Sequence, residues 1–278
     1  MKSLFSATLS ISEEAKTLLR SAGLGSFQDF MDYSHGERVC HKRGRSTVRL
    51  QIGGRAFYLK RNRFHWIEFF KGLSRLRLPV RGALQEWRNI EQVRAADVPT
   101  LVPIAFGERP VLGIETCSFS MTEELYDCVP LDQVFVREFS GPLTRIQHAR
   151  KRNLLSKLGR LARRLHGNGF YHQDFYLSHF FLGPGDVLYL IDLQRVLRRP
   201  LRSGHFQIKD LAQLNFAASR IPSLSRTDRL RFLLSYLNSP SLQKCDKKLV
   251  RSVLGKTRRI AKHDIKLSMR RRQRGELS

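Results

Sequence analysis

The sequence predicts an α+β protein in which a β-rich first half is followed by a mainly helical second half. Three observations carry this. Apolar residues alternate on both sides of the Gly53-Gly54 pair, which is the signature of a β-hairpin. Leu154, Leu155, Leu158, Leu161, Ala162 and Leu165 recur at helical spacing. With 41% hydrophobic and 10% aromatic residues over 278 positions, the chain is apolar enough to bury a sizeable core.

Residues 1–35 read as an N-terminal extension with little order. The start through Ser12 is faintly signal-like, but Ser and Thr interrupt its apolar part and Glu13 and Glu14 follow, so it is taken as mature protein. Residues 36–125 form the β-rich region, with strands over Arg38 to His41, Thr47 to Ile52 and Ala56 to Lys60. A helix follows from Trp66 to Leu76, ended by Pro79, then a second from about Gly82 to Ala96 that carries Glu86 and Glu91, then short strands near Ile104 to Phe106 and Cys117 to Thr122. Residues 126–243 form the helical region. Its leucine-faced helix carries Lys151, Arg152, Lys157, Arg160, Arg163 and Arg164 on the other side and stops at His166-Gly-Asn-Gly169, where Gly or Asn can turn left-handed. A Gly183-Pro-Gly-Asp186 turn leads into a strand from Val187 to Ile191. Residues 244–278 are a basic helix and tail with 13 Lys or Arg against three acidic residues and Val250, Val253, Leu254, Ile260 and Leu267 as its apolar face.

Charge narrows the function. Fifty Lys plus Arg against 24 Asp plus Glu give a net charge of +26, and the isoelectric point is about 10.9. An anionic partner is expected: nucleic acid, anionic lipid, a nucleotide or a phosphorylated glycan. The four cysteines have neither C-x-x-C spacing nor a nearby His, so they read as reduced structural thiols of a cytoplasmic protein.

Three polar residues punctuate the order of elements where core packing does not require them. Lys60 ends a hydrophobic strand, Asp174 lies in the loop past the long helix, and Asp192 ends the strand after it. Phosphoryl transfer needs a cation for the nucleotide phosphates, a carboxylate for the acceptor hydroxyl and a carboxylate for Mg²⁺. The chain supplies one of each in that order.

The stretch Leu165-His-Gly-Asn-Gly-Phe-Tyr-His-Gln-Asp174 with His179 resembles the catalytic loop of the protein-kinase superfamily; Ile191-Asp-Leu193 is similar to its metal-binding D-F-G element and Tyr58-Leu-Lys60 to its V-A-I-K strand. Position 179 is His where protein kinases carry Asn, and Asp192 is followed by Leu-Gln-Arg195 with no Gly. The form H-x-D-x-Y-x-x-H-F, the I-D-L-x-R strand end, Lys209-Asp-Leu-Ala212 and Gln85-Glu-Trp87 together resemble the lipopolysaccharide core heptose kinases and the wider lipopolysaccharide kinase family, over roughly Gly36 to Leu237. The resemblance implies a bilobal protein-kinase-like fold, with a β-rich N-terminal lobe and a mainly helical C-terminal lobe.

It also implies roles. Lys60 would grip the nucleotide phosphates and Glu86 would hold its ammonium; Asp174 would orient the sugar hydroxyl and take its proton; Asp192 and His179 would stand at the metal positions. Three roles are open to His179: metal contact, orientation of Asp192, or packing. Lys42-Arg-Gly-Arg-Ser46 stands at the phosphate-loop position, so Gly44, Arg45 and Ser46 would face ATP, and Met121-Thr-Glu-Glu-Leu125 would offer the backbone of Glu123 and Glu124 to adenine. Plainer readings stand beside these: Asp174 and Asp192 as turn residues, Lys60 as a solvated strand end next to Arg61 and Arg63, Glu86 as a surface carboxylate like Glu91, and Tyr176 as core rather than acceptor pocket. His172 supports the loop. Gln173 replaces the Arg that would answer a phosphorylated segment.

The expected function is therefore an ATP- and Mg²⁺-dependent kinase acting on an inner-core heptose hydroxyl of lipopolysaccharide or a similar lipid-linked glycan. Its place is peripheral, on the cytoplasmic face of the inner membrane. The helix over 66–76 has two readings, packing on the small lobe or entering an anionic membrane surface through its apolar face. The alternatives are a protein or small-molecule kinase of the same fold, and a basic nucleic-acid-binding protein with a kinase-like shell; no nucleic-acid module is recognisable and the basic residues are spread over many elements.

Overall fold

The computed structural model describes residues 7–42, 44–63, 83–111, 114–199 and 204–274, with side chains at all of these except 41, 42, 110, 111 and 114–116. The expected helix over 66–76 and the Gly82 start of the next one lie outside the described residues. The chain divides into two compact units. Unit 1 holds residues 1–95, 100–126 and 193–195, and unit 2 holds the rest.

Unit 1 is built on a six-stranded antiparallel sheet. Its strands are β1 (Thr8–Ile11), β2 (Glu37–Lys42), β3 (Arg45–Ile52), β4 (Arg55–Arg63), β5 (Pro103–Val111) and β6 (Ile114–Glu123), in spatial order β1-β5-β6-β4-β3-β2. The β3–β4 hairpin turns on Gly53 and Gly54, at φ 56° and 77°, the pair of left-handed residues that a tight hairpin of this hand demands. Alternation then sorts β4: Phe57 and Leu59 are fully buried on one face, and Tyr58 and Lys60 point to the other.

Residues 7–35 depart from the expectation of an extension with little order. β1 pairs with β5, and helices α1 (Glu13–Ser21) and α2 (Phe27–Asp32) cover the Phe57/Leu59 face of the sheet. Ala15, Leu19, Leu24 and Phe30 are fully buried, and the Phe30 ring stacks on Phe119 with centroids 4.3 Å apart. Ser26 caps α2 reciprocally with Asp29. The core of unit 1 cannot close without this segment. The remaining helix, α3 (Ala83–Ala95), buries Ala83, Glu86, Asn89, Ile90 and Val93, a stripe at i, i+3, i+4 and i+7 that includes two polar residues.

Unit 2 is mainly helical: α4 (Leu131–Glu138), α5 (Arg145–Gly167), α6 (Gly204–Ser219), α7 (Arg226–Leu237) and α8 (Asp246–Gln273), with two small antiparallel sheets. One joins β7 (Val129–Pro130), β9 (Phe180–Gly183) and β10 (Val187–Leu190); the other joins β8 (Phe170–Tyr171) and β11 (Leu197–Arg198). α5 starts at a Thr144/Gln147 capping box and buries all six expected apolar residues. Beyond its end Gly169 turns left-handed, at φ 76°. Lys151 was expected on the solvated side and is instead buried, because α7 brings Asp228 to within 2.7 Å of its ammonium. On α8, Val250, Val253 and Ile260 are half-buried as expected, whereas Leu254 and Leu267 are exposed.

Candidate active site

Each unit carries one half of the predicted chemistry. In unit 1, Lys60 and Ser120 are cross-strand neighbours on β4 and β6, so their side chains leave the same face of the sheet. The first turn of α3 brings Glu86 to them. Lys60 Nζ bonds Glu86 Oε1 at 3.0 Å, and Ser120 Oγ donates to Glu86 Oε2 at 2.9 Å. Gln194, in a short 3₁₀ turn over Leu193–Arg195, donates to the same Oε2 at 3.1 Å. That turn is itself held by Asn89 Nδ2, which donates to the Leu193 carbonyl at 2.7 Å.

Glu86 is only 2% exposed. Burial alone would push its carboxyl up, but the Lys60 charge and the bonds from Lys60, Gln194 and Ser120 outweigh it and hold the carboxyl below its ordinary value. The surface reading of Glu86 is thereby set aside, and Glu91 is the exposed carboxylate of the helix. Lys60 is equally not a solvated strand end, since its partner is buried. An ammonium held this way is fixed in direction.

The other unit 1 candidates fare differently. Gly44 takes the left-handed turn between β2 and β3 at φ 77°, Arg45 is exposed and Ser46 half-buried; Arg43 lies outside the described residues. Glu123 and Glu124 are engaged within the unit: Arg55 bonds Glu123 at 2.8 Å, Arg49 bonds Glu124 at 2.6 Å, and Tyr58 donates to Glu124 at 2.9 Å. Their N–H groups donate to the carbonyls of Val102 and Ala56. Of the backbone groups expected to face adenine, these two N–H groups are thus engaged within unit 1.

Unit 2 gathers Asp174, His179 and Asp192. The loop after β8 passes through Gln173 at φ 73°, a left-handed conformation that a non-glycine residue holds only when its surroundings impose it. Two side chains of α6 impose it. Fully buried Asp210 accepts from the N–H groups of His172 at 2.7 Å and Gln173 at 2.9 Å, and Gln213 accepts from the Phe175 N–H at 3.1 Å while donating to the Gln173 carbonyl at 2.9 Å. Lys209 adds a bond to the Gln173 side chain at 2.8 Å. Asp174 thus projects from a backbone fixed on both sides.

His172 is buried and bonds the Ile191 carbonyl at 2.9 Å through Nε2, so it supports the loop as expected. His179 reaches back to the same loop, with Nδ1 2.6 Å from the Asp174 carbonyl, and its own carbonyl accepts the Ile191 N–H at 2.9 Å. A carbonyl can only accept, so Nδ1 carries a proton. Nε2 stands 3.9 Å from Asp192 Oδ2. Asp192 is left-handed at φ 60°, which turns its carboxylate off the line of β10. Among the described residues, no group of three His, Cys, Asp or Glu side chains converges as a metal cage. Tyr176 is half-buried, and its hydroxyl accepts from Gln213 at 3.3 Å.

Asp210, Gln213, Ser120 and Gln194 received no role from the sequence. For the first two a signal existed: two polar residues three apart inside the apolar run of α6, the pattern of a buried helix face that serves something other than the core.

Comparison with known proteins bears on this arrangement. The model of the lipopolysaccharide kinase (Kdo/WaaP) family matches residues 31–236. The lipopolysaccharide core heptose(I) kinase WaaP of Pseudomonas aeruginosa is 36% identical over 207 residues, covering 71% of this chain and 75% of its own. Its namesake from Escherichia coli is 30% identical over 236 residues, covering 81% and 87%. A solved structure described as WaaP in complex with acyl carrier protein superposes with a TM-score of 0.72 at 28% identity, over 91% of this chain and 98% of that one.

Proposed function

The chain belongs to the lipopolysaccharide kinase (Kdo/WaaP) family, and from that premise we propose that it transfers the γ-phosphate of ATP to a heptose hydroxyl of the lipopolysaccharide core. The observation that carries this reading is the loop of Asp174, whose strained entry at Gln173 is held by Asp210 and Gln213. A backbone held so firmly against its own preference serves a side chain that must stay in one place.

Lys60, steered by Glu86, neutralises the nucleotide phosphates. Asp174 accepts a hydrogen bond from the acceptor hydroxyl and fixes its lone pair towards the γ-phosphorus. As the new O–P bond forms and the bond to the β,γ-bridging oxygen breaks, the hydroxyl proton passes to an Asp174 carboxylate oxygen and ADP departs. Asp192 would hold a Mg²⁺ ion through its carboxylate, the oxygen donor such an ion prefers, whereas the imidazole nitrogen of His179, 3.9 Å from that carboxylate, suits it poorly. Such an ion would neutralise charge on the phosphates.

A lipid-anchored acceptor and an ATP donor support a peripheral position at the cytoplasmic face of the inner membrane. The net charge of +26 supports contact with anionic headgroups, and no described helix is long and apolar enough to cross a bilayer.

The test is label transfer. Purified protein, γ-labelled ATP and Mg²⁺ are incubated with core glycolipid, with generic protein acceptors, and with no acceptor, beside Asp174→Ala. Label on the glycolipid that disappears with Asp174→Ala is expected; label on protein alone contradicts the reading.

A further inference from the structure

We propose that the outward face of α8, from Leu254 to Met269, is the surface by which this protein docks on a bilayer of anionic phospholipid. The inference rests on the membrane placement above and names the element responsible.

α8 runs for 28 residues, about 42 Å at the helical rise. Its inner side is tied to α6 and the residue that follows it: Thr257 Oγ1 accepts from Asn215 Nδ2 at 3.1 Å, and Asp264 pairs with Arg220 at 2.5 Å. At 100° per residue, Leu254, Arg258, Lys262, Ile265, Lys266 and Met269 form a stripe turned away from those anchors. All six are exposed.

Two features of this stripe decide its partner. The first is sign. The helix has two acidic residues: Asp246, in the first turn, accepts the Gln243 N–H at 2.8 Å, and Asp264 faces Arg220. The stripe therefore carries no acidic residue. The second is apolar exposure, with Leu254 at 42%, Ile265 at 53% and Met269 at 59%. Cations alone would suit nucleic acid, but aliphatic side chains interleaved with them gain nothing from phosphodiester or base edges. At a headgroup boundary both are served, since the aliphatic groups enter the acyl region while Arg and Lys reach back to phosphate.

The experiment reads docking without catalysis. The full chain is sedimented with vesicles of phosphatidylcholine, alone or with roughly 30% phosphatidylglycerol, at physiological salt and without ATP or glycan. Selective partition onto the anionic vesicles is expected. Arg258→Ala/Lys262→Ala/Lys266→Ala should lower it on the order of 100-fold, and Ile265→Ser/Met269→Ser by about 10-fold. A control that removes the same charge elsewhere, Arg145→Ala/Arg152→Ala/Arg226→Ala, should lower it by less than about 5-fold. Equal binding to both vesicles, equal losses in the two triple variants, or α8-dependent binding to duplex DNA or an acidic protein with anionic vesicles ignored would each overturn the proposal. Phosphorylation of detergent-solubilised core glycolipid is measured in parallel. Transfer there without vesicle binding removes this inference and leaves the kinase reading standing; vesicle binding without transfer does the reverse.

Discussion

Gln194 Nε2 donates to Glu86 Oε2 at 3.1 Å, sharing that oxygen with Ser120, while Lys60 holds the other oxygen at 3.0 Å. Gln194 stands two residues beyond Asp192 in the chain, so the stretch that follows Asp192 also steadies the carboxylate that pairs with Lys60. Replacing Gln194 by Ala removes a bond to a buried carboxylate, an effect of about 1.5–3 kcal/mol, and is expected to lower kcat/KM for ATP about 10-fold or more. Gln194→Glu, which sets a like charge against Glu86, should be worse. Steady-state kinetics with ATP varied checks both; unchanged constants would detach Gln194 from the site.

Asp210 is the second point of leverage. With both His172 and Gln173 N–H groups on one buried carboxylate, Asp210→Ala leaves two donors without partners, at about 1–3 kcal/mol each. Denaturant titration should show that loss. The kinetic signature expected is a fall in kcat greater than any rise in KM, because the loop that aims Asp174 loosens while the ATP grip in unit 1 is untouched.

Stability should depend on pH through His172. Burial holds its imidazole below the ordinary value; the Ile191 carbonyl and Asp210 push the other way and are outweighed. The unfolded chain takes up this proton near the ordinary histidine value of about 6.5, and the folded chain refuses it until lower pH. Stability is therefore full above about pH 6.5 and falls as pH drops from there through the folded value. His172→Gln should flatten thermal midpoints in that window. Glu86 and Asp228, both held below the ordinary carboxylate range, add a further loss in the same direction below about pH 4.

Gly159 sets the approach of α5 to α7. A Cβ there would lie 2.6 Å from the Phe232 carbonyl oxygen and 2.9 Å from the Tyr236 nitrogen, both backbone atoms that cannot swing aside. Gly159→Ala should cost about 1–3 kcal/mol by forcing the helices apart. Chemical denaturation measures it, and KM for ATP is expected to stay at the wild-type value.

What the sequence disclosed follows a physical line. Lys60, Asp174 and Asp192 were legible because each interrupts a hydrophobic pattern at the end of an element, and Glu86 because the resemblance pointed to it; its buried pairing was visible only in three dimensions. Glu86, Ser120 and Gln194 meet across a sheet, a helix and a 3₁₀ turn, and no local pattern announces such a meeting. Lys151 was misplaced for the same reason, since its charge suggests solvent until Asp228 is seen beside it. Helices α1 and α2 were missed because they are short, with 9 and 6 residues, and their burial depends on a sheet face assembled from distant strands. The leucine face of α5 and the Gly-Gly hairpin, both local and periodic, were read correctly.

The most direct test of the central claim is the phosphorus spectrum of the product. Purified core glycolipid treated with the protein, ATP and Mg²⁺, then freed of nucleotide, should gain a phosphomonoester resonance coupled to a heptose proton, absent when Asp174→Ala replaces the wild type. A new resonance coupled to any other sugar, or one equally strong with Asp174→Ala, would contradict the account.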